Sequence, residues 1–449
     1  MSGRIGAAPT PQARPAALQS LFIWLYAGLW ILGWVVVPEV GRPEKFAVAI
    51  GLLAIPVAAG YRLMMPATAA VGVAGLLGSY VLSSLINGLT PHGIEFILSL
   101  AARALFLWVC YALLQNKMVI GRAMWLLIVS SVISAVVADY VMARFGIGVG
   151  RLDPIGLEYY LLDPFTFSTF ASAQLAPIGA ILLFGAARAM PKQAWRIAGG
   201  VAAFLICLTA YGGYVRREHL ISIPLVLLVL AFGGERKARQ KMRFALIAAV
   251  GFIGVAAWDY MREDSLIGLR IESEFAGGFV DPAETRLTSF YGQVAAIAAN
   301  PIFGYGAGEH AAAISPYVPA EERFLSGFNT LGWLAVEGGL PCALFYLIML
   351  LGVWRAVWRW RSLPGSEPFA VVLRCGPALV LQVLLWGVFG NAWDLPLGWF
   401  VLGMILAAVR IAEHTVGAQA APFAWRAGPA IQQRRAPVLA AVAPRQAKR

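Results

Sequence analysis

The sequence predicts an all-α membrane protein with about twelve transmembrane helices, and composition is the first basis for this prediction. Of the 449 residues, 60% are hydrophobic and only 13% are charged, and the mean hydropathy is +0.73. Soluble proteins average about 45–50% apolar and about 25% charged residues. Twelve spans of about 20 residues would use on the order of 240 residues, close to the apolar content of this chain. A soluble fold is therefore excluded.

The apolar residues are concentrated in twelve runs, which set the limits of the predicted helices. The runs lie at 18–37, 46–60, 67–86, 93–115, 123–142, 172–187, 194–213, 220–233, 244–259, 329–354, 369–390 and 396–410. The polytopic membrane domain is accordingly expected over residues 17–410. The two ends, 1–16 and the basic 411–449, have the composition of disordered tails.

The positions of the basic residues predict the orientation in the membrane. If the N-terminus is cytoplasmic, 23 of the 35 Lys and Arg residues fall on inner segments and 10 on outer ones. This bias follows the positive-inside rule and predicts that both termini are cytoplasmic. The net charge of +12 is then mainly a topology signal. We therefore expect membrane lipids, and no nucleic acid, among the partners.

The sequence contains no pattern that is typical of a metal site or a disulfide framework. All four cysteines, at 110, 207, 342 and 375, fall inside apolar runs, whereas disulfide frameworks need cysteines in outer loops. Cys-x-x-Cys and Asp-x-Asp motifs do not occur. We expect neither a metal nor a cofactor.

Two predicted outer loops, 143–171 and 260–328, are the longest connections of the membrane domain. Loops of this length are uncommon unless they serve a function. Within the second loop, apolar residues recur at spacings of three and four between 284 and 300, just before Asn300-Pro301. This spacing predicts an amphipathic helix suited to lie in the outer membrane interface.

Three arginines of the outer segments are candidate ligands for a diphosphate. Arg216 and Arg217 precede the eighth predicted span, and Arg286 opens the amphipathic helix. Guanidinium groups bind phosphates through paired hydrogen bonds that lysine cannot make. The alternative for Arg216 and Arg217 is contact with lipid phosphates or with Glu218, and for Arg286 a solvated helix end.

Four residues are candidates for proton transfer. Glu309 and His310 end a glycine-rich run, His219 follows the arginine pair, and Glu337 lies inside the tenth predicted span. Histidine and carboxylate groups accept protons near neutral pH, and an ionisable group within a membrane is a functional candidate by default. The alternatives are an ordinary loop histidine and a structural ion pair. The glycine run itself fits either close approach to a ligand or a simple turn.

The order of these motifs resembles the outer loop of the O-antigen ligase and O-antigen polymerase superfamily. The resemblance runs from Arg286 through Asn300-Pro-Ile-Phe-Gly-Tyr-Gly-Ala-Gly308 to Phe328-Asn-Thr-Leu-Gly-Trp-Leu-Ala-Val-Glu-Gly-Gly-Leu-Pro341. It implies a glycosyltransferase at the periplasmic face of the bacterial inner membrane. The implied substrates are undecaprenyl-diphosphate-linked oligosaccharides, used without nucleotide sugar or metal. In the family, arginines at positions like Arg216, Arg217 and Arg286 hold the diphosphate.

One departure from the family pattern selects among its members. Ligases of this superfamily carry a histidine directly before the asparagine of the second motif, where this chain has Phe328. The departure favours a polymerase of surface or exopolysaccharide, whose acceptor is a second lipid-linked repeat unit. A separate membrane protein that sets chain length is a further expected partner.

Three alternatives to a polymerase stay open from the sequence. An O-antigen ligase or protein O-oligosaccharyltransferase would use the same lipid-linked donor. A secondary transporter would also fit twelve helices, but the halves 18–187 and 194–410 show no persuasive repeat. A non-catalytic lipid-binding or scaffold protein is the third.

Overall fold

A computed structural model describes residues 64–145, 169–214, 254, 282–319, 329–389 and 396–424. Within these ranges the regular structure is helical and no strand occurs, so the prediction of an all-α protein is confirmed for this part of the chain. Five of the helices are long and apolar enough to cross a membrane. The total of twelve spans and the orientation of the chain remain predictions.

We number the α-helices of the described ranges in chain order. They are α1 (Ala67–Asn87), α2 (Pro91–Leu113), α3 (Lys117–Phe145), α4 (Thr169–Ala189), α5 (Gln193–Tyr214), α6 (Pro282–Ala299), α7 (His310–Ile314), α8 (Thr330–Trp358), α9 (Pro368–Phe389) and α10 (Pro396–Ala424). Eight of the twelve predicted runs coincide with one of these helices. The other four, at 18–37, 46–60, 220–233 and 244–259, lie outside the described residues except for residue 254.

Two predicted boundaries differ from the observed ones. Helix α10 continues to Ala424, so residues 411–424 of the predicted tail are helical. The sequence here is rich in alanine, and Arg410 pairs with Glu413 one helical turn away, at 2.5 Å between Nη1 and Oε2. The predicted outer loop 143–171 is shorter at both ends because α3 and α4 extend into it; the rest of that loop lies outside the described residues.

Helices α1 and α8 pack against each other through small residues. A β-carbon at Gly72 would lie 2.4 Å from the backbone nitrogen of Met349, and one at Gly352 would lie 2.6 Å from the nitrogen of Ala69. The two backbones are therefore almost in contact. Small residues at such an interface are typical of helix pairs in membranes, where close van der Waals packing replaces the hydrophobic effect.

One contact at each end of the helix bundle joins two connections of the chain. At one end, Lys117 at the start of α3 lies 3.0 Å from Glu367, just before α9. At the other end, Thr90 before α2 hydrogen-bonds Glu309 of the long loop. The sequence predicts the first pair of connections inside and the second pair outside, and this orientation remains a prediction.

Helix α8 is interrupted at Gly339, whose φ of 75° lies in the left-handed region. In a regular helix the carbonyls of Val336 and Glu337 would accept the N–H groups of Leu340 and Pro341. Proline has no N–H, and that of Leu340 donates to a carbonyl outside the helix. The interruption therefore leaves two carbonyls of α8 without partners inside the helix.

The segment that follows α6 supplies those partners. The N–H groups of Tyr305 and Gly306 donate to the carbonyls of Val336 and Glu337, each at 2.9 Å, and Leu340 donates to the carbonyl of Pro301 at 2.8 Å. Unpaired backbone groups in a membrane cost several kcal/mol each, about the cost of any buried polar group without a partner. Three hydrogen bonds thus fix this segment on the interruption of α8.

Helix α8 changes direction sharply at Gly339. A β-carbon at Gly387 of α9 would contact both Thr330, at 3.5 Å, and the ring of Tyr346, at 3.9 Å. In a straight helix, residues 16 positions apart are separated by about 24 Å along the axis. A tyrosine ring cannot span that separation, so the part at 330–338 must turn sharply from the part at 340–358.

Helix α6 confirms the predicted helix at 284–300, but its apolar stripe faces away from the described protein. Leu287, Phe290, Tyr291 and Val294 are about half exposed or more. The opposite face is buried and carries the smaller and polar side chains of Ser289, Gly292, Gln293 and Ala296. Its predicted position in the membrane interface remains a prediction.

The close approach of α1 and α8 predicts that alanine in place of glycine lowers stability at one position of α1 but not at another. Gly72→Ala is expected to destabilise the protein by about 1–3 kcal/mol, because the new methyl group meets the backbone of Met349. Gly78→Ala is the matched control, since a β-carbon there meets no atom within 4 Å, and it should be neutral or slightly stabilising. Thermal unfolding of the purified variants in detergent measures the difference. Equal unfolding temperatures would contradict the packing.

Candidate functional site

The glycine-rich run 300–309, which we call the docking loop, lies against the interruption of α8. Gly304 has a φ of 64°, and a β-carbon there would be 2.5 Å from the carbonyl oxygen of Val336. The side-chain amides of Asn300 and Asn87 both donate to the carbonyl of Gly304, the latter at 3.1 Å. The glycines therefore allow close approach to the protein's own backbone.

The carboxylate of Glu337 is fully buried and is surrounded by hydrogen-bond donors. It accepts hydrogen bonds from the hydroxyl of Tyr80 and from the N–H groups of Gly308 and His310, the last at 3.3 Å. The backbone carbonyl of the same residue accepts the hydroxyl of Ser83 at 2.5 Å. The backbone N–H groups at the end of the docking loop and the start of α7, which could otherwise bind an anion, are thus bound to a side chain of the protein itself.

Arg103 of α2 belongs to the surroundings of this cluster. Its side chain is 2% exposed, and it interacts electrostatically with Tyr80, the residue that donates to Glu337. Burying a carboxylate is costly unless it is hydrogen-bonded and near a positive charge. The arrangement supports a structural role for Glu337 between α1, α8 and the docking loop.

The imidazole of His310 is held inside the protein by a chain of side-chain hydrogen bonds. It stacks on Trp333 at 4.3 Å between ring centroids, and its Nε2 accepts from the amide of Gln293 at 3.0 Å. The Gln293 carbonyl in turn accepts from Asn329 at 2.7 Å. Asn329 also caps α8, accepting from the N–H of Gly332 at 2.5 Å. This chain assigns the proton of the neutral ring to Nδ1.

The same burial makes His310 a weak base. Its side chain is only 1% exposed, and burial lowers the pKa of its imidazole from 6.5 to about 4. At neutral pH the ring is uncharged, and its basic nitrogen is already engaged by Gln293. His310 is therefore poorly placed to take a proton from a substrate.

Glu309, the neighbour of His310 in sequence, lies at an open cavity of about 390 Å³. The cavity is lined by Asn87, Gly88, Thr90, Tyr305, Glu309, Ala312, Ala313, Pro316 and Tyr317. The hydroxyl of Thr90 donates to Oε1 of Glu309 at 3.3 Å and accepts the N–H of Gly93 at 2.9 Å, which caps α2. Glu309 is the one charged side chain in this described lining, and Thr90 restrains its orientation.

The structure brings together three of the seven predicted site residues. Glu309, His310 and Glu337 all lie where the docking loop meets α1 and α8. Arg216, Arg217 and His219 lie outside the described residues. Arg286 lies in the first turns of α6, but its side chain is not among those described. Among the described residues, no group of three or more His, Cys, Asp or Glu is placed to hold a metal ion.

Several contributors to the site were not predicted from the sequence. Asn87 is the last residue of α1, Thr90 comes from the short connection between α1 and α2, Tyr80 from the interior of α1, and Gln293 from α6. Thr90 carried a usable signal, because threonine followed by proline is a common start of a helix. Nothing in the local sequence of Tyr80 or Gln293 distinguishes them from other helical residues.

Comparison with known proteins adds no family assignment. The sequence matches no protein-family model, and no curated protein matches it. The resemblance to the O-antigen ligase and polymerase superfamily therefore rests on the motifs at 286–341.

The burial of His310 predicts a loss of stability in acid. The unfolded chain binds a proton on this residue with a pKa near 6.5, whereas the folded protein binds it only near 4. The contribution of His310 to the free energy of unfolding is therefore fully present above about pH 6.5. It is lost as the pH falls towards 4, and the loss amounts to about 3 kcal/mol. The dependence of thermal unfolding on pH measures this loss.

Two variants isolate the contribution of His310. His310→Gln should remove this part of the acid sensitivity, because glutamine does not titrate. His92→Gln changes an exposed histidine and should leave the acid sensitivity of the protein unchanged. An unchanged pH profile in His310→Gln would contradict the assignment.

Proposed function

We propose that the protein is a glycosyltransferase of the periplasmic face of the bacterial inner membrane. In this proposal it polymerises undecaprenyl-diphosphate-linked repeat units into a surface or exopolysaccharide. The observation that supports the proposal best is the carboxylate of Glu309, which Thr90 holds at an open cavity on the predicted outer side of the bundle. A restrained carboxylate beside a cavity is suited to accept a proton from a bound hydroxyl.

In the proposed reaction, a hydroxyl of the acceptor sugar attacks the anomeric carbon of the donor sugar. The new glycosidic C–O bond forms as the bond from the anomeric carbon to the diphosphate oxygen breaks, and the hydroxyl proton passes to Glu309. Undecaprenyl diphosphate leaves with the bonding electrons. Because the donor is already activated, the step needs alignment and stabilisation of the leaving charge rather than further activation.

The proposed ligands of the diphosphate are Arg216, Arg217 and Arg286. Their guanidinium groups would offset the negative charge that develops on the leaving group. Both substrates are lipid-linked, so membrane lipids surround them, and a chain-length-determining membrane protein is a further proposed partner. The proposal requires no metal or cofactor.

The geometry favours different roles for the three acidic and basic residues of the docking loop region. Glu309 lines the cavity, whereas the ring of His310 and the carboxylate of Glu337 are enclosed by protein. We propose Glu309 as the catalytic base. His310 and Glu337 act as positioning residues, since their hydrogen bonds fix the docking loop that carries Glu309.

The reaction can be tested directly with purified protein in detergent. The sole substrate is an undecaprenyl-diphosphate-linked oligosaccharide, without nucleotide sugar and with EDTA present. We expect a ladder of products spaced by one repeat unit on a gel. Folded protein that makes no ladder, but transfers the glycan to another acceptor, would identify a ligase. If it also bound no lipid-linked glycan, a transporter would be favoured.

Glu309→Gln tests the proposed base. The variant keeps an oxygen that can accept from Thr90 but cannot take up the proton, and loss of a general base typically lowers a rate by about 10²–10⁴. We expect a decrease of that size in the rate of ladder formation. Glu413→Gln is the matched control, because Glu413 pairs with Arg410 on α10 and does not line the cavity. Equal rates for both variants would exclude Glu309 as the base.

A further inference from the structure

The hydrogen-bonding groups that line the cavity define the class of ligand it can hold. The side chain of Asn87 presents an acceptor to the cavity. Both hydrogens of its side-chain amide are used, one on the carbonyl of Ser83 at 2.9 Å and one on that of Gly304 at 3.1 Å. Its carbonyl oxygen has no such partner in the described part of the chain. Asn87 can therefore offer a ligand an acceptor but no donor.

Glu309 and Thr90 extend the same pattern. The single hydroxyl proton of Thr90 is donated to Glu309, and the same oxygen accepts the N–H of Gly93. An ionised carboxylate has about four acceptor positions and no donor. After the bond from Thr90, the remaining positions of Glu309 are available to a ligand.

The aromatic side of the cavity is formed by Tyr305 and Tyr317. The phenol of Tyr305 interacts with the neighbouring phenol of Tyr317. Burial and the neighbouring Tyr317 phenol raise the pKa of Tyr305. The ring of Tyr317 is 43% exposed and offers apolar surface as well. Ala312, Ala313 and Pro316 add no side-chain hydrogen-bonding groups.

We infer that this cavity binds a neutral or amino sugar and excludes ligands that present an anionic group. The side chains of Asn87 and Glu309 offer the cavity acceptors, and sugar hydroxyls and ammonium groups supply the matching donors. A phosphate or a uronate carboxylate is only an acceptor at neutral pH, and it would meet the like charge of Glu309. The volume of about 390 Å³ lies within the range of about 300–1,000 Å³ that is typical of small-molecule sites.

The inference deepens the proposed function and rests on it for the role of the bound sugar. In a polymerase, the sugar beside the base is the end of the acceptor glycan. The diphosphate of the donor must then lie outside this cavity, with the proposed arginines. The terminal sugar of the acceptor is accordingly uncharged or cationic.

The test measures binding rather than catalysis, so it is independent of the polymerase assay. Purified full-length protein in detergent is titrated with the methyl glycosides of glucose, glucosamine and glucuronic acid, and binding is followed by saturation-transfer NMR. We expect the first two to bind and the glucuronide to bind about tenfold more weakly or worse. Added salt should reduce this discrimination, because it screens the charge of Glu309. Inorganic diphosphate should not displace the glucoside.

Glu309→Gln should admit the glucuronide to within a fewfold of the glucoside, whereas Glu413→Gln should leave the discrimination unchanged. The wild-type comparison stands even if the first variant does not fold. Glucuronide binding equal to glucoside binding, displacement by diphosphate, or no binding of any glycoside would each overturn the inference. A product ladder combined with one of these results would leave the polymerase proposal intact and reject only the assigned ligand class. Selective binding without a ladder would reject only the polymerase.

Discussion

The hydrogen bonds that close the interruption of α8 determine the geometry of the whole site. A helix broken at Gly339 inside an apolar bundle exposes carbonyls that water cannot reach, and the chain must provide donors for them. The docking loop provides these donors through Tyr305 and Gly306. Once the loop is held there, Glu309 and His310 at its end have little freedom of position.

The last residue of the docking loop and the first residue of α7 consequently meet opposite environments. The N–H of His310 is bound by Glu337 and its ring by Gln293, which directs that side chain into the protein. Glu309 precedes it and lies at the cavity, where Thr90 restrains it. Two adjacent candidate proton acceptors are thus separated by the fold into a buried imidazole and an accessible carboxylate.

The sequence predicts the helices well and the site only in part. Apolar runs located eight helices and the spacing of residues in 284–300 located α6, because both depend on local pattern alone. The pattern could not say that the apolar stripe of α6 faces outward, since an apolar face suits lipid as well as a protein core. The single apolar run at 329–354 gave no indication of the break at Gly339 in α8, and the segment that fills it comes from a distant part of the chain. Long-range partners of this kind, including Tyr80 and Asn87, carry no local signal.

The distribution of charge argues for two separate subsites in the proposed reaction. The described cavity holds a carboxylate and acceptor groups, which suit a hydroxyl that must lose a proton. The leaving diphosphate needs the opposite, a set of fixed positive charges, and no cation lines this cavity among the described residues. A single pocket with both sets of groups would pair arginine with glutamate and weaken each for its task. Acceptor and leaving group are therefore best served from different sides of the reacting carbon, with Glu309 on the acceptor side and the arginines on the other.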